Sequence, residues 1–248
     1  MRRRIGLLSL AGLLLVSLGV NALLVCFARG YFKEMLDVRL DPAGLKIYAA
    51  DRQNAAGGGG EPLLVLFGDS RAAMWSTPTT PGYRVINHGV GSQTTAQILM
   101  RLDDDVVRLH PSVVVLEAGI NDLKSIAQFP ERRAEIVRDC EANLRRIVEG
   151  CRRAGATVVL VTVFGIGDVS VWKRLFWSND VSAAVKEVNA FLPTLAGNGV
   201  TLLDADAALD DDSGRIRDTY QLDYLHLTSS GYAALNGKLV PLVATLRR

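Results

Sequence analysis

From residue 62 onward, short continuous apolar runs alternate with stretches whose apolar residues recur every three to four positions. The runs at 62–67, 84–88, 112–118, 157–163 and 200–204 predict five strands, and their continuity predicts burial on both faces. Between them, Ile98, Leu99, Leu102, Val106 and Leu109 make one helical face, and Ile136, Val137, Cys140, Leu144, Ile147, Val148 and Cys151 make another. Two further helices are expected over 181–195 and 231–246. Strands separated by helices imply right-handed crossovers and a parallel sheet covered on both faces. In such α/β sheets, sites form beyond the carboxyl ends of the strands. That rule makes 68–70, 88–95, 119–122 and 164–168 neighbours in space, because each follows a strand. The chain has no internal repeat.

The N-terminus follows a different pattern. Three arginines precede an apolar run from Ile5 to Ala28 that is broken only by Ser9, Ser17 and Asn21. About 20 apolar residues span a bilayer, whereas the core of a cleaved signal is about 7 to 15 residues long. Residues 1–29 are therefore expected to be an uncleaved transmembrane signal anchor. Val25 stands where a lipoprotein cleavage box needs a small residue, which argues against lipidation at Cys26. Arg2 to Arg4 place the N-terminus in the cytoplasm and the body of the chain on the periplasmic or extracellular side, although Arg29, Lys33 and Arg39 reduce the asymmetry. Residues 30–61 have mixed polarity and end in Gly57 to Gly60, the composition of a stalk and flexible linker. The glycine run is not a phosphate loop, because no Gly-Lys-Ser/Thr follows it. The remaining 62–248 form the expected catalytic domain.

Composition narrows the functional classes. At 248 residues and 49% hydrophobic, the chain has ample material for a core. Its net charge of +2 is spread along the helices without a basic stripe, so nucleic acid is not an expected partner. Cys140 and Cys151 fall on one predicted helix about 16 Å apart, too far to bridge. Neither a disulfide nor a metal thiolate site is expected.

The candidate chemistry begins at Gly68-Asp69-Ser70, where a strand meets a helix. Locally, Ser70 is read as well by helix capping as by nucleophilic catalysis, since a free serine is a weak nucleophile without a base. The chain has three histidines. His110 enters a strand at its amino end, the wrong rim of the sheet. His88 ends a strand at the right rim, with no acidic residue beside it in sequence. His226 lies in a polar loop three residues after Asp223, a spacing at which a carboxylate reaches the imidazole Nδ1 and turns Nε2 toward a hydroxyl. The same spacing also describes a capped turn with a half-exposed histidine. Asn121, after the strand ending at Ala118, serves a turn or projects an amide over the rim that carries Ser70.

Taken in order, GDS at 68–70, NHGVGSQTT at 87–95, GIND at 119–122 and DYLH at 223–226 resemble the four sequence blocks of the SGNH/GDSL hydrolase superfamily. The similarity covers about residues 62–247. It implies a flavodoxin-like three-layer α/β/α sandwich and ester hydrolysis with no metal or other cofactor. By resemblance, Ser70 is the nucleophile, His226 the general base and then acid, and Asp223 the orienting carboxylate. Asn121 and the Ser70 amide supply oxyanion donors. A third donor is a backbone N–H at a position where the family usually has glycine and this chain has Ser92, with Gly91 beside it. Either Ser92 donates from an unstrained conformation or the loop slips by one and Gly91 donates; Ser92 is the expected donor. Ala72, which breaks the Gly-x-Ser-x-Gly elbow, argues against an α/β-hydrolase.

The segment 164–180 concentrates Trp172, Phe176 and Trp177 with Lys173 and Arg174. Such a mixture suits a lipid-facing surface, the lining of a sugar site, or aromatics packed on the core. The expected partners are therefore a small-molecule, lipid or carbohydrate ester and, through the N-terminal helix, a membrane. Transfer of the acyl group to an envelope polysaccharide, giving an O-acetyltransferase, and a catalytically silent envelope-binding domain are the alternatives.

Overall fold

A computed structural model of the chain describes residues 2–55, 60–167, 177–211 and 215–246. It divides into two compact units, one ending at Gly44 and one beginning at Leu45. The strands of the second unit are β1 (Leu63–Gly68), β2 (Arg84–Gly89), β3 (Val113–Glu117), β4 (Thr157–Val161) and β5 (Val200–Leu203). The helices of the whole chain are α1 (Arg2–Leu40), α2 (Ala49–Ala55), α3 (Ser70–Ala73), α4 (Thr95–Met100), α5 (Leu102–Asp105), α6 (Ile120–Lys124), α7 (Arg133–Arg153), α8 (Asn179–Phe191), α9 (Asp206–Leu209) and α10 (Ser229–Thr245).

All five strands pair in parallel in the order β2-β1-β3-β4-β5. This is the flavodoxin-like doubly wound order that the sequence implies. The pleat sorts alternate residues to opposite faces. Leu63, Val65 and Phe67 join Leu116 and Leu160 in a core with α7 and α8, whereas Leu64 and Leu66 join Val115, Val159 and the α10 residues Tyr232, Leu235 and Leu239 in a second core. Strand order reverses between β1 and β3, and a crevice opens beyond their carboxyl ends. The loops after both strands therefore face each other across that crevice.

Two segments differ from the expectation. The face read as one helix over 98–109 is broken into α4, α5 and a short 3-10 turn, because Arg101 leaves helical geometry at φ −103° and ψ 6°. Residues 30–61, expected as a stalk, are structured over most of their length. Helix α1 continues through Lys33, Glu34 and Leu36 until Pro42, which has no N–H to continue a helix, and Gly44 at φ 70° end it. Leu45 to Ala55, including α2, belong to the second unit. Helix α1 is 39 residues long and its most apolar stretch averages 2.4 in hydropathy, enough to cross a membrane.

Candidate active site

At the end of β1 the chain turns directly into α3. The turn needs glycine at 68, because a Cβ there would collide with the carbonyl oxygen of Glu117 on the neighbouring strand. Asp69 is the N-cap of α3, and its carboxylate accepts from the Arg71 N–H at 2.9 Å. Ser70 thus occupies the first turn of the helix with its hydroxyl in the crevice, and capping is the task of its neighbour.

The loop before α10 brings a base to that hydroxyl. Ser70 Oγ lies 3.0 Å from His226 Nε2, across 156 residues of sequence. His226 Nδ1 lies 2.9 Å and 3.1 Å from the two oxygens of Asp223. Asp223 Oδ1 also accepts from the backbone N–H groups of Leu225 at 2.7 Å and His226 at 2.8 Å. Partial burial raises the Asp223 carboxyl, but these hydrogen bonds to its charged form outweigh burial and hold it below its ordinary value. Asp223 and His226 are locked in one tight loop in which Nε2 faces the serine. Ser70, His226 and Asp223, read from sequence as a candidate set, are brought together.

The facing rim carries the expected amide donors. Asn121, at the start of α6, is buried and donates through Nδ2 to the Gln93 carbonyl at 3.0 Å. Gln93 follows Ser92, so the two loops expected to share the oxyanion site are joined. Ser92 has φ 63°, the left-handed conformation that glycine adopts freely, whereas Gly91 shows no positive φ. Ser92 and not Gly91 takes the glycine-like conformation, and the expectation of an unstrained Ser92 is corrected. Ser92 holds the glycine-like conformation at a steric cost, since Cβ meets the backbone there. Ser92→Gly is therefore expected to raise the chemical unfolding free energy of the detergent-solubilised chain by up to about 1 kcal/mol while ester turnover stays within about twofold. A more than tenfold loss of turnover would assign the hydroxyl a role of its own.

Behind Ser70 sits a set of charges that motif reading did not single out. Arg71 is fully buried, with its guanidinium 3.8 Å from the Phe164 ring centroid. It donates to the carbonyls of Leu225 at 2.9 Å, Phe164 at 2.8 Å and Gly165 at 3.3 Å. Tyr232 of α10 donates to the Arg71 carbonyl at 2.8 Å. Arg71 thereby ties the turn of Ser70 to the loop of His226 and to the loop after β4. Glu117, also fully buried, is pushed well above its ordinary value by burial and by the adjacent Asp69 carboxyl. An acid at the end of an otherwise apolar strand, and an arginine directly after a candidate serine, are the sequence signals that could have pointed to this set.

Asp122 fixes the second rim to the third. It accepts from the Thr95 backbone N–H at 2.8 Å and from the Thr95 hydroxyl at 2.7 Å, anchoring the start of α4 beside α6. Burial raises its carboxyl to about 6 against the opposing effect of those bonds. His88, set aside for want of an acidic neighbour in sequence, has one in space: its Nδ1 lies 3.2 Å from Asp105 Oδ1, and both side chains are fully buried. His110 is exposed at the amino end of β3, away from the site. Trp177 packs edge-on against Tyr224, centroids 5.3 Å apart, beside Asp223. Trp172 and Phe176 lie outside the described residues.

The sequence pattern of the GDSL-like lipase/acylhydrolase family matches residues 55–234. The alpha2 subunit of human platelet-activating factor acetylhydrolase IB is 27% identical over 194 residues, covering 75% of this chain and 78% of that protein. Among solved structures, a GDSL-like lipase from Bacteroides thetaiotaomicron superposes with a TM-score of 0.64 at 21% identity, covering 82% of this chain and 98% of the other. The acetylxylan esterase Axe2 from Geobacillus stearothermophilus does so with a TM-score of 0.58 at 20% identity, covering 74% and 94%.

Proposed function

The chain belongs to the GDSL-like lipase/acylhydrolase family and is a hydrolase acting on ester bonds, and from that premise we propose that it works through an acyl-enzyme on Ser70. The observation that carries this reading is the 3.0 Å approach of His226 Nε2 to Ser70 Oγ, with Asp223 seated on Nδ1. His226 takes the hydroxyl proton as Ser70 Oγ attacks the ester carbonyl, and Asp223 steadies the imidazolium. Negative charge on the former carbonyl oxygen is held by the backbone N–H groups of Ser70 and Ser92 and by Asn121 Nδ2. The Asn121 amide has two N–H bonds; Gln93 takes one, and the other serves the oxyanion. His226 returns the proton to the leaving alcohol, and water activated by the same imidazole releases the acid.

The substrate we propose is an acyl or acetyl ester of a lipid or carbohydrate of the cell envelope. The acetyl-releasing activities in the names of platelet-activating factor acetylhydrolase and acetylxylan esterase support a short acyl group. Helix α1 supports a membrane anchor, with its arginines in the cytoplasm and the hydrolase domain exported. That domain begins at Leu45 in this reading, seventeen residues earlier than the end of the glycine run suggests. Trp177, which packs edge-on against Tyr224 next to Asp223 in sequence, is in this reading a substrate or membrane contact.

The full chain in detergent, treated with a fluorophosphonate, is expected to carry one adduct, on Ser70, and Ser70→Ala none. Against p-nitrophenyl esters from acetyl to palmitoyl, turnover is expected to be highest for the shortest acyl groups. Absence of an adduct on Ser70 overturns the serine mechanism. A maximum at palmitoyl overturns the short-acyl reading alone.

A further inference from the structure

The network that holds the oxyanion rim does not end inside the part of the chain where the sequence motifs lie. Its centre is Arg101, fully buried between α4 and α5. One guanidinium donates to the carbonyls of Gly68 and His88, both at 2.7 Å, and through Nε to the Gln93 side-chain oxygen at 2.6 Å. Gly68 precedes Asp69 and Ser70, His88 is the last residue but one of β2, and Gln93 is the residue whose carbonyl orients Asn121. Two strand-end segments of the site therefore converge on one side chain, and Gln93 ties in the third through Asn121. Arg101 is itself aimed by Asp105, whose Oδ2 accepts from it at 2.8 Å.

The other oxygen of Asp105 faces residues that precede β1. Arg52 of α2 donates through Nε to Asp105 Oδ1 at 2.6 Å, where His88 Nδ1 also converges. A second arginine nitrogen donates to the Leu45 carbonyl, closing the strap on itself. Tyr48 lies flat on the His88 ring, centroids 4.4 Å apart and planes 8° apart, and its hydroxyl donates to the Gly89 carbonyl at 2.5 Å. Gly89 leads into the loop that carries Ser92. A Tyr-His stack and a charge-assisted hydrogen bond thus grip β2 and α5 from the same short segment.

We propose that residues 45–55 are a strap belonging to the catalytic apparatus, with Arg52 and Tyr48 as positioning residues for the oxyanion rim. Arg52 holds Asp105, Asp105 aims Arg101, and Arg101 fixes Gln93 and with it Asn121 and Ser92. Tyr48 seals the base of the same loop at Gly89. The inference rests on the serine mechanism proposed above, because only a developing oxyanion gives the placement of this rim a kinetic meaning. A charged residue from this segment is used because Asp105 is fully buried and already committed to Arg101 and His88, so withdrawing Arg52 unbalances the cluster that aims the loop.

The test compares Arg52→Ala, Arg52→Lys and Tyr48→Phe with the wild type, all as full chains in detergent. Arg52→Ala is expected to lower kcat by about 10- to 100-fold, the scale of a small misplacement of a catalytic donor, with KM changed less than about threefold. Arg52→Lys, which keeps a charge for Asp105, recovers part of that loss, and Tyr48→Phe shows a smaller loss of the same kind. Affinity for a trifluoromethyl ketone, whose tetrahedral adduct places an oxyanion in the site, falls in parallel with kcat/KM across the three, while fluorophosphonate still titrates Ser70 completely. Wild-type kcat in Arg52→Ala, or a loss matched by a lower titre of reactive Ser70, overturns the strap; if Arg52→Ala does not fold, the two milder variants carry the same comparison. A wild type that takes no label on Ser70 overturns the serine mechanism instead. Amide hydrogen exchange over 89–95 then decides the strap separately, faster in Arg52→Ala if the segment holds the loop and unchanged if it does not.

Discussion

Ser70→Ala is expected to lower ester turnover by about 10^4- to 10^6-fold, and His226→Ala by a similar factor, with the double variant no slower than either alone. The reason for this non-additivity is geometric. A serine hydroxyl without Nε2 at 3.0 Å is an unactivated alcohol, and an imidazole without the hydroxyl has nothing to deprotonate, so removing either group removes the same step. Asp223→Asn is expected to cost less, about 10^2- to 10^4-fold, because the backbone N–H groups of Leu225 and His226 still hold the loop while the charge opposite the imidazolium is lost. The measurement is kcat/KM on p-nitrophenyl acetate for the three single variants and the Ser70/His226 double. Multiplicative losses in the double would show that the two side chains act independently and would defeat the shared-step account.

Arg71→Met is expected to have the largest effect on stability, lowering it by about 3 to 5 kcal/mol through loss of one partner in a buried charge set. Methionine matches the length of the arginine stem but leaves the carbonyls of Leu225 and Phe164 without their donor. It also leaves the buried Asp69 and Glu117 carboxyls without the neighbouring positive charge. For a domain of this size the melting temperature should fall by about 10 °C, which differential scanning calorimetry of the detergent-solubilised chain would record. Arg71→Lys should recover little of it, since one ammonium cannot reproduce the planar fork that meets three carbonyls. A shift of only 1 or 2 °C for Arg71→Met would mean that water satisfies those carbonyls and that Arg71 is not a structural tie.

The sheet was legible because a doubly covered parallel strand needs apolar residues on both faces, and few other elements produce such short continuous runs. Leu63 to Gly68 and Val113 to Glu117 are buried at every position. Ser70, Asp223 and His226 were singled out by the resemblance of their blocks to the SGNH/GDSL order, each at a strand end or in a loop bounded by turn residues, and the fold brings them within hydrogen-bond reach. What escaped is what depends on partners far along the chain. Arg101 lies in a run whose apolar periodicity reads as one helix, yet its hydrogen bonds to Gly68 and His88, 33 and 13 residues away, accompany a break in that helix. Tyr48 and Arg52 look like polar residues of a linker until their partners, 41 and 53 residues away, are in view. Ser92 escaped differently, because periodicity carries no information about the sign of φ.

Ser70 and His226 stand 156 residues apart, and Tyr232, which holds the nucleophile turn through the Arg71 carbonyl, comes later still. A ribosome therefore completes the serine well before it completes the base. During synthesis the emerging chain carries Ser70 at the start of α3 without His226 beside it, and in the proposed mechanism the deprotonating partner arrives only with the loop before α10. Under the proposed serine mechanism, ester cleavage therefore waits on synthesis of the segment from Asp223 to Tyr232. In that mechanism the nucleophile is made early and armed late.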